Sequence, residues 1–345
     1  DSAIGRNQFI LDLTREEVRS YIIDEMTRVF SSASISYVKW DMNRIFGDFY
    51  SPSLEADRQK EFGHRYMIGL YQVLDTLTKR FPDILFESCA SGGNRFDLGM
   101  LCYMPQIWAS DNTDAICRAA IQTGYSYGYP MSVIGAHVSS SPNHQTLRNM
   151  QIDTRFEVAA FGLLGYECNI AELNSEERKK ISEQISFYKK YRKTLQFGDF
   201  YRIKTNEKGI YQYMSVDQNK NVALGLFLQK EVTPNYGYAK FKTKGLDAHK
   251  KYHFTNRQQI HNIKEFGDLV NTISPIHIKK DSLAHNVIAM VKKIPGEIEE
   301  GTAYGDLFNN AGVILKQGFQ GTGYDDEVRL FQDFATRIYV WEEVE

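Results

Sequence analysis

The residue types best suited to chemistry in this sequence lie in three short segments, of which the first is K-W-D-M-N-R at residues 39–44. It follows a run of β-branched and aromatic residues, so we expect it at the carboxyl end of a strand, where functional side chains gather in parallel barrels. Side chains alternate along a strand, which places Lys39, Asp41 and Asn43 on one side. Lys39 and Arg44 favour the ionised form of Asp41, as a nucleophile or a metal ligand requires. A salt-bridged strand terminus is the alternative.

The second segment is E-S-C-A-S-G-G-N-R at residues 87–95, again after a predicted strand. Paired glycines let a backbone approach a ligand closely and leave its N–H groups free to bind hydroxyls. Glycine-rich turns also occur for purely structural reasons, so both interpretations stay open at this point.

The third segment is W-A-S-D-N-T-D at residues 108–114, after the next predicted strand. Asp114 is placed to cap the following helix, which leaves Asp111 without a structural role. Two carboxylates on barrel strands separated by one strand can face each other across the barrel mouth. Retaining glycoside hydrolysis needs two carboxyl groups about 5–5.5 Å apart, one ionised and one protonated. Asp41 has cationic neighbours, whereas Asp111 lies near a tryptophan and away from basic residues, which makes it the candidate acid.

Strand and helix patterns alternate around these segments. Strands are predicted at residues 9–14, 35–40, 84–87, near 108, at 131–136 and at 161–164. Helical periodicity is clearest in the run Phe62, Tyr66, Leu70, Val73, Leu77 and Phe81. A capping box is predicted where Thr14 precedes Glu17, and another where Asn174 precedes Glu177. This alternation predicts parallel βαβ units.

The predicted fold class is α/β: a (β/α)8 TIM-type barrel that is incomplete, with about strands 3 to 8, followed by a C-terminal antiparallel β-sandwich domain. The six predicted strands are two short of a closed barrel. A doubly wound open sheet is the alternative, but no glycine-rich nucleotide fingerprint follows the first strand. After the last helix the pattern changes to short alternating runs at 201–203, 210–214 and 222–228. The predicted domains are therefore residues 1–195 and 196–345.

Composition excludes several classes of protein. The 345 residues are 42% hydrophobic and 24% charged, as in ordinary folded proteins. Lys and Arg total 41 against 43 acids without a basic run, which argues against nucleic acid or a membrane as partner. The four cysteines form no C-x-x-C pair, and His137 and His144 match no ligand spacing, so we expect no metal and no cofactor. An aromatic content of 13% suits a carbohydrate binder as well as a β-rich core.

Together the three segments resemble glycoside hydrolase family 36, the bacterial and fungal α-galactosidases related to plant raffinose synthases. Y-V-K-W-D-M-N-R is similar to the nucleophile motif of that family, S-C-A-S-G-G-N-R-F-D to its substrate-binding turn and W-A-S-D-N-T-D-A to its acid/base motif. The resemblance implies that Asp41 is the nucleophile and Asp111 the general acid/base. It also implies sugar contacts by Arg6, Lys39, Asn43, Cys89 and Gly92. The stretch with residues 321–326 and 337–339 resembles the terminal β domain of the family. We interpret His137 and Glu167, at two other strand ends, as structural.

The function implied by the resemblance is that of a retaining α-galactosidase acting on terminal, non-reducing α-D-galactosyl residues of melibiose- or raffinose-type sugars. A homotetramer is implied as well, while the cysteine usage fits a reducing compartment, so we expect a cytoplasmic protein. Two alternatives stay open: galactosyl transfer of the raffinose-synthase type, and a non-catalytic carbohydrate-binding protein. Family members carry an N-terminal β-sandwich and the first barrel strands ahead of the part that this chain resembles, so we expect the chain alone to be poorly active.

Overall fold

The structure is a computed structural model that describes residues 4–44, 46–205, 208–232, 239–272, 274–315 and 332–345. The predicted similarity at residues 321–326 lies outside these ranges. None of the described helices combines the length and the apolar character that crossing a membrane requires.

The first part of the chain alternates helices with parallel strands. In chain order the elements are α1 (Glu16–Phe30), β1 (Tyr37–Asp41), α2 (Phe62–Arg80), β2 (Leu85–Cys89), α3 (Leu98–Leu101), β3 (Gln106–Trp108), α4 (Ala115–Tyr125), β4 (Ile134–Ser139), α5 (Ile152–Ala159), β5 (Leu163–Glu167) and α6 (Ser175–Phe197). Within the described residues these strands form one parallel sheet in the order β1-β2-β3-β4-β5. The carboxyl ends of all these strands therefore lie along one edge of the sheet.

Helix α2 shows how the sequence pattern produces this packing. Its apolar residues recur at steps of three and four, so Phe62, Leu70 and Leu77 point to one side and are buried under the sheet together with α1. Each such buried side chain stabilises the fold by roughly 1.5–3 kcal/mol before the loss of chain entropy is counted. The predicted helix is confirmed with its buried face.

The strand predicted at residues 9–14 is absent, so the described sheet has five strands rather than six. Burial does alternate there, with Ile10 buried next to exposed Phe9, but the segment joins no ladder in the described structure. Asp12 accepts hydrogen bonds from the backbone N–H and the hydroxyl of Thr14, at 3.0 and 2.6 Å. This local turn ends the extended run before it could pair.

The two predicted capping boxes had opposite outcomes. Asn174 and Glu177 form the reciprocal bonds of a capping box at the start of α6. The box predicted for Thr14 and Glu17 is wrong, because α1 begins one residue later with Arg15 at its N-cap. Glu17 accepts instead from the Arg15 guanidinium, at 2.7 Å from Nε.

The remainder of the chain is mainly antiparallel. Its elements are β6 (Asp199–Ile203), β7 (Ile210–Val216), β8 (Val222–Gln229), β9 (Lys240–Phe241), β10 (Lys251–Asn256), β11 (Ile260–Asn262), α7 (Leu283–Val291), β12 (Lys293–Pro295), β13 (Glu300–Tyr304), α8 (Gly305–Asn310), β14 (Val313–Ile314) and β15 (Ala335–Val344). Six of the described strands form a sheet in the order β13-β10-β15-β8-β7-β6. Trp341 on β15 is fully buried against Phe241 and Phe254. The prediction of a partial barrel followed by an antiparallel β domain is confirmed.

One apolar cluster joins the two parts, and the antiparallel part has a second cluster of its own around Trp341. Tyr213 and Leu226 of the antiparallel sheet belong to the same buried cluster as Phe161 and Leu195 of the barrel part. The change of pattern falls between Phe197, the last residue of α6, and the start of β6. The division into residues 1–195 and 196–345 stays a prediction.

Candidate active site

The three segments singled out in the sequence meet at the carboxyl edge of the parallel sheet. Asp41 is the last residue of β1 and lies directly opposite Cys89, the last residue of β2. Trp108 is the last residue of β3, and Asp111 follows it by three positions. Parallel pairing in this register therefore brings both candidate carboxylates to the same edge, on either side of the loop after β2.

Asp41 is surrounded by neutral hydrogen-bond donors. Asn43 donates from Nδ2 to Asp41 Oδ2 at 2.6 Å, and the Cys89 thiol also donates to this carboxylate. Partial burial raises the pKa of Asp41, but the hydrogen bonds from Asn43 and Cys89 and from nearby backbone N–H groups outweigh it and leave the pKa below its usual value. Asp41 is thus held in the ionised form.

The loop after β2 fixes these donors. The Asn43 side-chain oxygen accepts from the backbone N–H and the hydroxyl of Ser91, at 3.2 and 3.1 Å, which turns the Asn43 amide N–H toward Asp41. Arg6 donates to the Ser91 hydroxyl at 2.9 Å and to the Asn43 carbonyl at 3.3 Å. Burial raises the pKa of the Cys89 thiol to about 11, so the thiol keeps the proton that it donates. Arg6, Asn43 and Cys89 therefore lie together, and their contacts with a sugar stay a prediction.

Gly92 and Gly93 allow this loop to touch the loop that carries Asp111. Gly92 has a φ of +84°, and a Cβ atom there would lie 3.0 Å from Ser110 Cα and 3.2 Å from the Asp111 nitrogen. At Gly93 a Cβ atom would lie 2.7 Å from the Ala109 carbonyl oxygen. Any side chain at these positions would push the two loops apart. The close approach that the structure shows for these glycines is between two loops of the chain itself.

Asp111 lies on the exposed side of this contact. Its Oδ1 accepts a hydrogen bond from the indole Nε1 of Trp108 at 3.0 Å, while the Trp108 ring is 2% exposed. Asp114 has the capping role expected of it, because its carboxylate accepts from the backbone of Ile116 and Cys117 at the start of α4. The prediction that Asp111 is the protonated partner stays a prediction.

Lys39 has different partners from those expected. It was predicted to keep Asp41 ionised, but hydrogen bonds from neutral donors do so. The Lys39 ammonium lies 3.8 Å from Glu87 Oε1 and 4.4 Å from the centre of the Trp108 ring. The reason is the register of the sheet, since Glu87 of β2 is directly opposite Lys39 of β1. Lys39 is nevertheless at the site, between a buried carboxyl group and the tryptophan that contacts Asp111.

Three polar side chains of this region were given no functional role in the sequence analysis, which interpreted His137 and Glu167 as structural and assigned nothing to Glu87. Glu87 lies on the inner side of β2, one layer below Cys89. His137 of β4 packs its ring on Trp108, at 4.4 Å between ring centres, and its Nδ1 lies 3.1 Å from Glu167 Oε2 of β5. The hydrogen bond with His137 lowers the pKa of Glu167. Strand alternation would have placed Glu87 on the side of Cys89, but the partners of all three come from other strands.

Comparisons with known proteins identify the family of the chain. Residues 1–198 match the family model "Melibiase", and residues 210–340 match the model "Glycosyl hydrolase family 36 C-terminal domain". The chain is 47% identical to α-galactosidase AgaA of Geobacillus stearothermophilus over 249 residues, which are 72% of this chain and 34% of the relative. It is 46% identical to α-galactosidase 1 of Pediococcus pentosaceus over 251 residues, again 72% of this chain and 34% of the relative.

A solved structure supports the same relation over the whole chain. A variant of Geobacillus stearothermophilus AgaA, crystallised in complex with raffinose, superposes with a TM-score of 0.80 and 37% identity, covering 100% of this chain and 40% of that one. The chain belongs to the melibiase family, within glycoside hydrolase family 36. It spans about a third of the length of the curated relatives that it matches.

Proposed function

We propose that the protein is a retaining α-galactosidase in which Asp41 is the nucleophile and Asp111 the general acid/base. The observation that carries the proposal is the placement of Asp41 at the end of β1 and of Asp111 three residues after β3, where the Asp111 loop touches the loop after β2 at Gly92. Both accept hydrogen bonds from neutral groups, and neither forms an ion pair with another residue that the structure describes. Two such carboxylates, one ionised and one able to transfer a proton, are what retaining hydrolysis needs.

In the first step Asp41 attacks the anomeric carbon of the galactosyl residue, and the bond from that carbon to the leaving oxygen breaks. Asp111 gives its proton to the leaving oxygen, and a galactosyl ester of Asp41 remains. The donors on Asp41 keep it ionised before attack, and the exposed position of Asp111 gives it access to the leaving group.

In the second step Asp111, now ionised, takes a proton from water while the water oxygen attacks the anomeric carbon. The bond to Asp41 breaks, and galactose leaves with the configuration that it had in the substrate. Both carboxylates return to their starting protonation states, so no other reactant is consumed.

We assign terminal α-D-galactosyl residues of melibiose- and raffinose-type sugars as the substrates. AgaA of Geobacillus stearothermophilus, to which this chain is similar, was solved with raffinose. Arg6, Lys39, Asn43, Cys89 and Gly92 form the floor of the sugar site in this proposal. Of these, Lys39 keeps a charged group directed at the site, whereas Arg6 and Asn43 also hold the loop after β2 in place.

Replacement of Asp41 tests the assignment in the full-length protein. Asp41→Ala removes the attacking oxygen, so kcat for an aryl α-galactoside falls by a factor on the order of 10⁴ or more, measured by release of the phenol. Asp24→Ala on the exposed side of α1 is the matched control and keeps the wild-type rate. A near-wild-type rate for Asp41→Ala would refute the nucleophile assignment.

We also propose that the protein acts as a homotetramer, on the resemblance alone, and that it is cytoplasmic, on its cysteine usage. Light scattering of the purified full-length protein gives a mass four times that of one chain if this is right. A monomer or dimer mass at working concentration would refute the tetramer. Fractionation of the cells that make the protein tests its location.

A further inference from the structure

A buried carboxyl group lies one layer below the site. Glu87 on β2 is 1% exposed. Its Oε2 accepts hydrogen bonds from the hydroxyl of Tyr37 and from Nε2 of Gln106, the latter at 2.9 Å. These two donors, from the strands on either side, fix the plane of the carboxyl group. Its other oxygen, Oε1, is thereby directed at Lys39.

The contact between Glu87 and Lys39 is electrostatic. The distance from Oε1 to the ammonium is 3.8 Å, too long for a direct hydrogen bond, and Oε1 has no hydrogen-bond partner among the described residues. Lys39 is 36% exposed, so its charged end is reachable from the site. Its ammonium also lies over the ring of Trp108, whose indole N–H is bonded to Asp111. Lys39 is thus held between a carboxyl group below it and the acid/base side of the site.

The surroundings of Glu87 make an ionised carboxylate costly. Burial and then the charge of Glu167 raise the pKa of Glu87 to about 7, and the buried Arg118 only partly offsets this. The groups that face it are Tyr37 and Lys39 from β1, Gln106 from β3, Arg118 from α4 and Glu167 from β5. A glutamine would satisfy Tyr37 and Gln106 equally well without a buried charge. Neither hydrogen bond therefore requires a charge at this position.

We infer that Glu87 is a positioning residue whose negative charge orients the Lys39 ammonium toward a hydroxyl group of the bound galactosyl residue. This inference rests on the proposed function. A lysine has four rotatable side-chain bonds, so a lysine without fixed neighbours would lose side-chain entropy when its ammonium binds the sugar. With Glu87 below and Trp108 beside it, the ammonium is ordered before the sugar arrives.

Glu87→Gln tests the inference in the full-length protein because it keeps the shape and removes the charge. KM for an aryl α-galactoside rises about tenfold, the effect of 1.4 kcal/mol of lost binding, while kcat stays within about twofold. The Tm at pH 8 stays equal to or above that of the wild type, since a buried charge has been removed. A purely structural role would instead lower Tm and reduce kcat.

A double-variant cycle with Lys39→Met shows whether Glu87 acts through Lys39. If it does, adding Glu87→Gln to Lys39→Met changes KM by no more than about twofold. Glu157→Gln is the matched control, a second buried glutamate whose pKa burial raises, on α5. It leaves KM unchanged.

The affinity for galactose as a function of pH gives a readout that does not depend on turnover. As pH falls through about 7, Glu87 takes up a proton and Lys39 loses its counter-charge, so the Kd for galactose measured by calorimetry rises. In Glu87→Gln this dependence is absent.

Independent, additive effects of the two substitutions would overturn the inference, and so would an unchanged KM in Glu87→Gln or an unchanged pH dependence of Kd. These results are distinguishable from failure of the proposed function. In that case the wild-type protein would not hydrolyse α-galactosides at all, or Asp41→Ala would remain active.

Discussion

Two groups of carboxylates in this chain show how the setting of an acid decides what it can do. The strand-end site contains Asp41 and Asp111, both exposed and both bonded to neutral donors. The α5 network contains Asp153 and Glu157 of helix α5, which are buried and share Arg257 of the antiparallel part, at 2.7 and 2.9 Å. The chemistry of the side chains is the same, but their partners differ.

The partners of a carboxylate determine whether its negative charge can still act on a substrate. In the α5 network the Arg257 guanidinium spans both acids, Lys180 adds a second cation 3.4 Å from Asp153, and no solvent reaches Glu157. Such a carboxylate forms ion pairs that connect the two parts of the chain, and its oxygens cannot reach a substrate. At the strand-end site a neutral donor such as Asn43 stabilises the charge without cancelling it, so the oxygen can still attack a carbon. Exposed carboxylates with neutral donors are therefore the candidates for chemistry.

After the loss expected for Asp41→Ala, the next largest effect is expected from removing the proton donor of the strand-end site. Asp111→Asn lowers kcat for raffinose by about 10²–10⁴-fold, because the leaving sugar no longer receives a proton. An activated dinitrophenyl galactoside needs little assistance, so its first step is much less affected. Azide accelerates turnover of this variant and gives galactosyl azide, since it needs no general base. Equal losses on both substrates without azide rescue would remove Asp111 from the acid/base role.

Breaking the α5 network should affect stability and leave the chemistry intact. Arg257→Met leaves the buried carboxylates of Asp153 and Glu157 without the cation that they share. Such a loss typically lowers the free energy of unfolding by about 3–5 kcal/mol. Denaturant titration measures this loss, and kcat of the folded protein stays at the wild-type value. Loss of kcat in a fully folded variant would mean that the network belongs to the site.

Controls sharpen the same comparison. Arg28→Met breaks an exposed pair with Glu25 on α1 and gives no measurable change in stability. Adding Asp153→Leu and Glu157→Leu to Arg257→Met removes the stranded charges and restores much of the lost stability.

The smallest effect concerns the donor next to Asp41. Asn43→Ala removes a hydrogen bond that lowers the pKa of Asp41, so that pKa rises. Since Asp41 must be ionised to attack, the acid limb of the profile of kcat/KM against pH moves to higher pH. The plateau also falls, because Asn43 belongs to the floor of the proposed sugar site. Asn94→Ala is the matched control, because Asn94 donates a hydrogen bond to the Ala90 carbonyl within the neighbouring loop after β2 and not to Asp41. A limb that stays in place, or moves equally in both variants, would contradict this role of Asn43.

Local patterns predicted the parts of this molecule that depend on neighbours in sequence. The buried face of α2, the capping box of Asn174 and the placement of Asn43 on the side of Asp41 all follow from fixed spacings of two to four residues, although the hydrogen bond between Asn43 and Asp41 was not predicted. The strand predicted at residues 9–14 failed because alternating burial does not reveal whether the backbone has a partner strand. The capping box predicted for Thr14 is absent because the Thr14 hydroxyl donates its hydrogen bond to the Asp12 carboxylate instead.

Motifs in the sequence located the candidate site, but they did not predict the contacts between strands that hold its side chains. Glu87 meets Lys39 only because β1 and β2 pair in one particular register, and a slip of one residue would turn Glu87 to the other face. Contacts between separate strands, such as His137 with Trp108, likewise need the sheet order before they can be predicted. Register and sheet order are set by packing of the whole chain, which no single segment encodes.

Identification of the residue that carries the trapped galactosyl group tests the central claim most directly. The Asp111→Asn variant of the full-length protein accumulates the ester when it is given a dinitrophenyl galactoside, because its second step is slow. After acid quench and proteolysis, mass spectrometry should place the added hexosyl mass on the peptide that contains Asp41, at Asp41 itself. A label on another carboxylate, or a phenol burst without any covalent label, would contradict the account.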